Sequence, residues 1–274
     1  MFAPEPACGT KAPQLPKRPE KKLPLIVTAI EEEFEAISRF VSGGERQRAG
    51  EAARGILLGG RIRSTTILLA MTGDGPARAA ASVSLLLGEF PVSFLVGAGA
   101  AGALHPSLGV GEIVVATRVV DEAVAASGPV PAPGAALLAR AEALGARPAA
   151  FVQAARPLCS SKEKKALAER FGLARAGAGP AVVDMESSAW ARAAGSRGVS
   201  YVMLRAVSDT FEEDLPAFLS SCLSPEGSVD RGAVARRLVL HPAALPKLLR
   251  TRRRVREGAE ALGRFLERLL PEMI

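Results

Sequence analysis

Four short segments place reactive side chains or exposed backbone amides where an apolar run gives way to a turn or helix. Ser208-Asp209 closes one such run, Met185-Glu186 introduces a helix, and Thr72-Gly73-Asp74-Gly75 and Gly97 to Gly102 are rich in glycine. A carboxyl group sheltered from water can serve as a general acid or base. A Gly-x-Gly turn before a helix can offer N–H groups to an anion. Each segment also has an ordinary explanation: Asp209 as an N-cap, Glu186 as a first-turn acid, Gly73 and Gly75 as a tight strand-to-helix turn, Glu31 to Glu33 as a solvated helix start. Asp74 opposes phosphate inside its turn unless its side chain points away. Gly97-x-Gly99-x-x-Gly102 fits the dinucleotide pattern, but Ala103-Leu104-His105-Pro106 breaks the helix that such a site needs. His105 and His241 are the two histidines, each before a proline. A serine-hydrolase triad or a metal-hydrolase centre therefore has almost no imidazole available, and no metal site is expected.

These groups need a frame whose strand ends converge. Leu23 to Ala29, Gly55 to Gly59, Thr65 to Met71, Ser93 to Val96, Glu112 to Val120, Val182-Val183 and Ser200 to Val207 read as strands. The strand at Ser93 to Val96 is expected to close at the glycines 97 to 102. Helices are expected over Glu31 to Phe40, Ala77 to Leu87, Ala135 to Leu144, Lys162 to Phe171 and Ser187 to Ala194, with a Pro/Gly-rich connection over Ser127 to Gly134. Strands alternating with helices imply an α/β fold with a largely parallel sheet and a site at the carboxyl ends of its strands. Residues 1–22 hold five prolines and read as a disordered basic tail, leaving 23–274 as one domain.

Hydrophobic residues make up 48% of the 274, enough for a buried core, and are supplied mainly by Ala, Val, Leu and Ile, since aromatics reach only 4%. The net charge of +7 is concentrated in the tail and in Lys247 to Arg256. No basic helix interleaved with aromatics accompanies it, so nucleic acid is not the expected partner. Cys8, Cys159 and Cys222 form neither a disulfide framework nor a zinc site. With no apolar run near the ~18 residues of a spanning helix and no signal-like start, the expectation is a cytoplasmic protein. Leu248, Val255, Ala259, Leu262, Leu266 and Leu269 recur at helical spacing, giving a basic C-terminal helix over about 245–270. That helix packs on the core with a solvated basic face, or meets the inner face of a membrane.

In order along the chain, Ala29-Ile30-Glu31-Glu32-Glu33, Gly99-Ala100-Ala101-Gly102, Leu108 to Val115, Val183-Asp184-Met185-Glu186-Ser187 and Arg205-Ala206-Val207-Ser208-Asp209 resemble segments of the nucleoside phosphorylase/nucleosidase superfamily. The first is similar to the start of the methylthioadenosine/S-adenosylhomocysteine nucleosidases. A narrower resemblance, through Gly73 to Ala79, Val183 to Ser188, Leu215-Pro216, His241-Pro242 and Leu245 to Arg256, is to hopanoid-associated phosphorylases acting on adenosylhopane. The superfamily implies a three-layer fold, with a mixed, mostly parallel sheet between helices, that cleaves the N-glycosidic bond of an adenine nucleoside. It also implies a homo-oligomer.

What the resemblance implies for single residues is specific. Asp209 donates a proton toward purine N7, oriented by Ser208. Glu186 accepts the ribose 2′ and 3′ hydroxyls beside the Met185 backbone. Glu33 deprotonates water with help from Arg205, while Gly99 and Ala100 border the substrate; Ala100 stands where nucleosidases carry a water-holding serine. In a phosphorylase, Gly73, Gly75 and Arg205 would hold phosphate. No cofactor is expected, and inorganic phosphate is a candidate co-substrate. Phosphorolysis of adenosylhopane or a related 5′-substituted adenosine is the main reading. Hydrolysis of methylthioadenosine, S-adenosylhomocysteine or a futalosine-type substrate is the alternative, and a non-catalytic nucleoside-binding protein on the same fold is a third.

Overall fold

The strands that carry the site are buried on both faces, so their side chains alternate between two cores rather than between core and water. In the computed structural model, which describes residues 21–48, 55–123, 129–175, 177–224 and 229–273, strand β1 (Leu23–Thr28) sends Leu25 and Val27 to one side and Ile26 to the other. Strand β9 (Ser200–Asp209) repeats this with Tyr201, Met203 and Val207 against Val202, Leu204 and Ala206. On the first side lie helices α2 (Pro76–Glu89), α4 (Ser161–Arg170) and α5 (Ser187–Ser196). On the second lie α1 (Glu31–Ser38), α3 (Ala135–Ala143) and α7 (Leu245–Leu269). The arrangement is helix, sheet, helix. The expected tail falls mostly outside the described residues, as does part of the connection beginning at Ser127.

The remaining strands are β2 (Ser42–Arg48), β3 (Ile56–Ile62), β4 (Thr65–Met71), β5 (Val92–Ala103), β6 (Ile113–Asp121), β7 (Arg147–Gln153) and β8 (Ala181–Asp184). Their order is β2-β3-β4-β1-β5-β8-β7-β6-β9, and β9 also pairs with β5, so the last five strands close on themselves. Five pairings among the described strands are parallel and four antiparallel, which makes the sheet mixed.

One expectation is corrected. The glycines 97 to 102 do not end the strand: β5 runs through them to Ala103. Close neighbours explain the composition. A Cβ at Gly97 would sit 2.3 Å from Met203 Sδ and 2.8 Å from the Trp190 ring. Two strands, β2 and β7, and helix α6 (Arg231–Leu240) were not anticipated. Helix α7 buries Ala259, Leu262, Phe265, Leu266 and Leu269 in its second half, while Leu245 and Leu249 in its first half are exposed. Gly258 lets it approach β9, where an added Cβ would come within 2.7 Å of Ala206 Cβ.

Candidate active site

The acids of the site come from three different elements, and each is held by backbone amides or by another charge. Glu33 lies in the first turn of α1 and is 4% exposed. Its Oε2 accepts from the N–H groups of Ala29 (3.0 Å) and Ile30 (3.3 Å), and its Oε1 accepts from Ala100 N–H of β5 at 2.8 Å. Gly99 makes this approach feasible, since a Cβ there would lie 2.7 Å from Glu33 Oε1. Burial pushes the Glu33 carboxyl above its ordinary value, against the three amides and the Arg205 charge, which pull it down.

Behind it, the end of β8 and the start of α5 form a charged knot. Asp184 accepts from the N–H groups of Glu186 (3.3 Å) and Ser187 (3.1 Å), from the Ser187 hydroxyl, and from Arg205, with Nη2 to Oδ2 at 2.8 Å. Arg205 is buried and lies over the Trp190 ring, 4.9 Å from its centroid. Glu186 Oε1 accepts the Gly75 N–H at 2.9 Å. Burial, then the nearby Asp184 charge, raises the Glu186 carboxyl to about 8, with Glu33 adding to the rise; Gly75 N–H and Arg205 oppose it.

The third acid closes β9. Asp209 is 4% exposed. Its Oδ1 accepts the Ser208 hydroxyl at 2.6 Å, and its Oδ2 faces the Lys164 ammonium of α4 at 2.5 Å. Gly102 leaves the room, because a Cβ there would stand 2.9 Å from Asp209 Oδ2.

Glu33, Glu186 and Asp209 line one cavity of about 270 Å³, together with Ala100, Met185 and Ser208. Arg156, Leu158 and Leu215 enter it from loops, and Val255 reaches it from α7. A second, mainly apolar cavity of about 380 Å³ shares Ile30, Asp74, Val229 and Val255 with it and continues along Leu219, Val234 and Leu248.

Four expected site residues stand elsewhere. Gly99 lies behind Glu33 and does not border the cavity. Arg205 does not border the cavity; it is bound to Asp184 and Ser187, and its charge bears on Glu33 and Glu186. Gly73 and Gly75 adopt the left-handed φ values of 83° and 89° that only glycine takes easily, but the Gly75 amide is committed to Glu186. Neither glycine borders the cavity. Asp74 does point away from the turn, accepting Val229 N–H at 2.6 Å. Lys164, paired with Asp209, is the neighbour that sequence reasoning missed; in Ser-Lys-Glu-Lys-Lys it looks like any solvated helix lysine. No group of three or more His, Cys, Asp or Glu among the described residues is arranged to hold a metal ion.

An α/β sheet whose strand ends gather three sheltered acids around one pocket defines an enzyme. The family model for the phosphorylase superfamily matches residues 25–235, and the chain belongs to that family. The 5′-methylthioadenosine/S-adenosylhomocysteine nucleosidase of Actinobacillus succinogenes is 29% identical over 219 residues, spanning 72% of this chain and 94% of the relative. Among solved structures, a mutant Helicobacter pylori MTAN (the same kind of nucleosidase) with 5′-methylthioadenosine in its active site superposes with a TM-score of 0.68. It is 17% identical and covers 92% of this chain and 99% of its own. The native futalosine hydrolase of Helicobacter pylori gives 0.70 at 17% identity, covering 92% and 98%. At those identities the likeness is one of fold.

Proposed function

We propose that this enzyme cleaves the N-glycosidic bond of an adenine nucleoside carrying an apolar 5′ substituent. The observation that carries the reading is the convergence of Asp209, Glu186 and Glu33 on one cavity. Rupture of C1′–N9 leaves negative charge on the base and positive charge on the ribose. Asp209, aligned by Ser208, protonates the base at N7. Glu186 receives the ribose hydroxyls, and in its ionised form it faces the developing cation. Glu33, whose carboxyl is raised by burial, takes a proton from the attacking water.

Water is the favoured nucleophile for a local reason. The anion seat expected at Gly73 and Gly75 has its second amide occupied by Glu186, and Arg205 is bound to Asp184. Phosphorolysis, with inorganic phosphate as co-substrate and adenosylhopane as substrate, is the second reading. The neighbouring cavity, where Ile30, Leu219, Val229, Val234, Leu248 and Val255 form an apolar surface beside Glu32, Asp74, Arg231, Thr251 and Arg252, favours such a large hydrocarbon substituent. It lends nothing to phosphate itself. Adenine release from adenosine, 5′-methylthioadenosine and adenosylhopane, each with and without phosphate, tests both. Equal rates without phosphate establish hydrolysis; absolute dependence on phosphate reverses that choice; no release from any of them sinks the enzymatic reading.

A peripheral membrane contact belongs to the same reading. Val239 and Leu240 at the end of α6 are 81% and 70% exposed, close in sequence to exposed Leu245 and Leu249 and to Lys247, Arg250 and Arg253. Such a mixed apolar and basic tip suits an anionic bilayer. Among the described residues no helix is long and apolar enough to cross one. Reversing Arg250 and Arg253 to Glu should abolish co-sedimentation with anionic vesicles, and unchanged sedimentation dismisses the contact.

A further inference from the structure

We propose that Lys164 is a positioning residue for the acid Asp209, holding its carboxyl against the base and countering the charge it acquires. The proposal rests on the reading of Asp209 as the proton donor. Lys164 is completely buried, an unusual place for an ammonium unless it is paired. Its three N–H donors have three acceptors: Asp209 Oδ2 at 2.5 Å, the Thr210 carbonyl at 2.6 Å and the Glu213 carbonyl at 2.9 Å. The ammonium does not border the cavity, so it reaches a ligand only through Asp209.

The three acceptors give the lysine two tasks. Toward Asp209 it fixes one carboxyl oxygen while Ser208 fixes the other, leaving the group a single orientation. The step requires Asp209 to carry a proton when the nucleoside binds: as C1′–N9 breaks, the bond's electron pair goes to the base, that proton moves from Asp209 to N7, and the aspartate left behind faces a cation already in place. No reorganisation is needed to meet that charge. Toward Thr210 and Glu213 it fastens the loop leading to Leu215, which lines the cavity. The side-chain carboxylate of Glu213 in turn accepts Arg254 of α7 at 2.7 Å, so α4, the end of β9 and α7 are joined around the acid.

The test uses Lys164→Gln, Lys164→Met, Lys164→Arg, Asp209→Asn and the Lys164→Gln/Asp209→Asn pair, with adenine release from 5′-methylthioadenosine. Loss of the cation should lower kcat about 10²-fold with KM within about threefold, since the interaction acts on the transition state. Lys164→Arg should retain more activity than Lys164→Gln. In the Asp209→Asn background Lys164→Gln should cause no further loss. Gln retains a buried donor and keeps the measurement possible if Met does not fold, with thermal unfolding read in parallel. Unaltered kcat in Lys164→Gln, or an equal loss in both backgrounds, overturns the proposal. Full activity in Asp209→Asn, or no turnover by the unaltered enzyme, instead removes the reading beneath it.

Discussion

Asp209 has its two carboxyl oxygens separately engaged, and its chemistry is the part of the site most open to a single substitution. Asp209→Asn has no acidic proton for N7, and its NH2 cannot accept a donor, so it also gives up either the Lys164 or the Ser208 hydrogen bond as it stands. A steady-state adenine assay should show kcat reduced by roughly 10²–10⁴-fold with little change in KM; a change confined to KM would make it a binding residue only. Glu186 offers a pH measurement. Its carboxyl sits at about 8 in the folded chain, raised first by burial and then by Asp184, against an ordinary 4.5. Between those values the folded state keeps a proton that the unfolded chain has released. Stability is therefore greatest below about 4.5 on this account and declines as pH rises to about 8. Glu186→Gln should flatten that decline and melt at a higher temperature than the parent at pH 8.5, as read by calorimetry. Parallel curves for the two proteins would show that the group does not titrate this way. Asp209, Glu186 and Glu33 were legible from sequence because each follows an apolar run or opens a helix within a recognisable motif. Lys164 was not, because its environment is made by Thr210 and Glu213, which lie more than forty residues away.

Among the elements, β5 shows why glycine misleads a reader of sequence. A run such as Gly97-Ala98-Gly99-Ala100-Ala101-Gly102 signals a turn from local preferences. Here it is strand, and the missing side chains make space for Trp190, Glu33 and Asp209 in turn. Replacements at the first two have different expected costs. Gly97→Ala forces a methyl into Met203 and Trp190, so urea unfolding should register a loss of about 1–3 kcal/mol from overpacking. Gly99→Ala presses on a carboxylate rather than on the core. It should displace Glu33 and lower kcat by up to about 10²-fold while circular dichroism stays native; unchanged kcat would mean that Glu33 need not stand where it does. Strand β2 was missed for the opposite reason: Ser-Gly-Gly-Glu-Arg-Gln-Arg has no apolar alternation, and as the outermost of the described strands it pairs, among them, only with β3. Helix α6 buries none of its residues, so no apolar stripe announces it.

At the level of the whole molecule, the α/β class and the clustering of strand ends were readable from alternating apolar runs, while the closure of β9 onto β5 was not, because pairing between distant segments leaves no local mark. The C-terminal helix packs on the core, one of the two roles its sequence allowed. Its second half belongs to the core, and Leu266→Ala should cost about 2–5 kcal/mol in chemical denaturation; a cost below 1 kcal/mol would mean that α7 is dispensable packing. Its first half carries the exposed leucines and basic residues for which vesicle binding is proposed. The pairing of β5 with β9 also dictates the order of events during synthesis. Phe94 meets Ser200 and Gly99 meets Arg205, so a nascent chain must lengthen by more than a hundred residues before that flank of β5 is satisfied. Contacts so distant along the chain slow folding. A polypeptide halted on the ribosome ahead of β9 would display an apolar strand with an open hydrogen-bonding flank, an invitation to intermolecular pairing. Premature termination in this gene product should accordingly yield insoluble fragments rather than a folded protein with a damaged pocket.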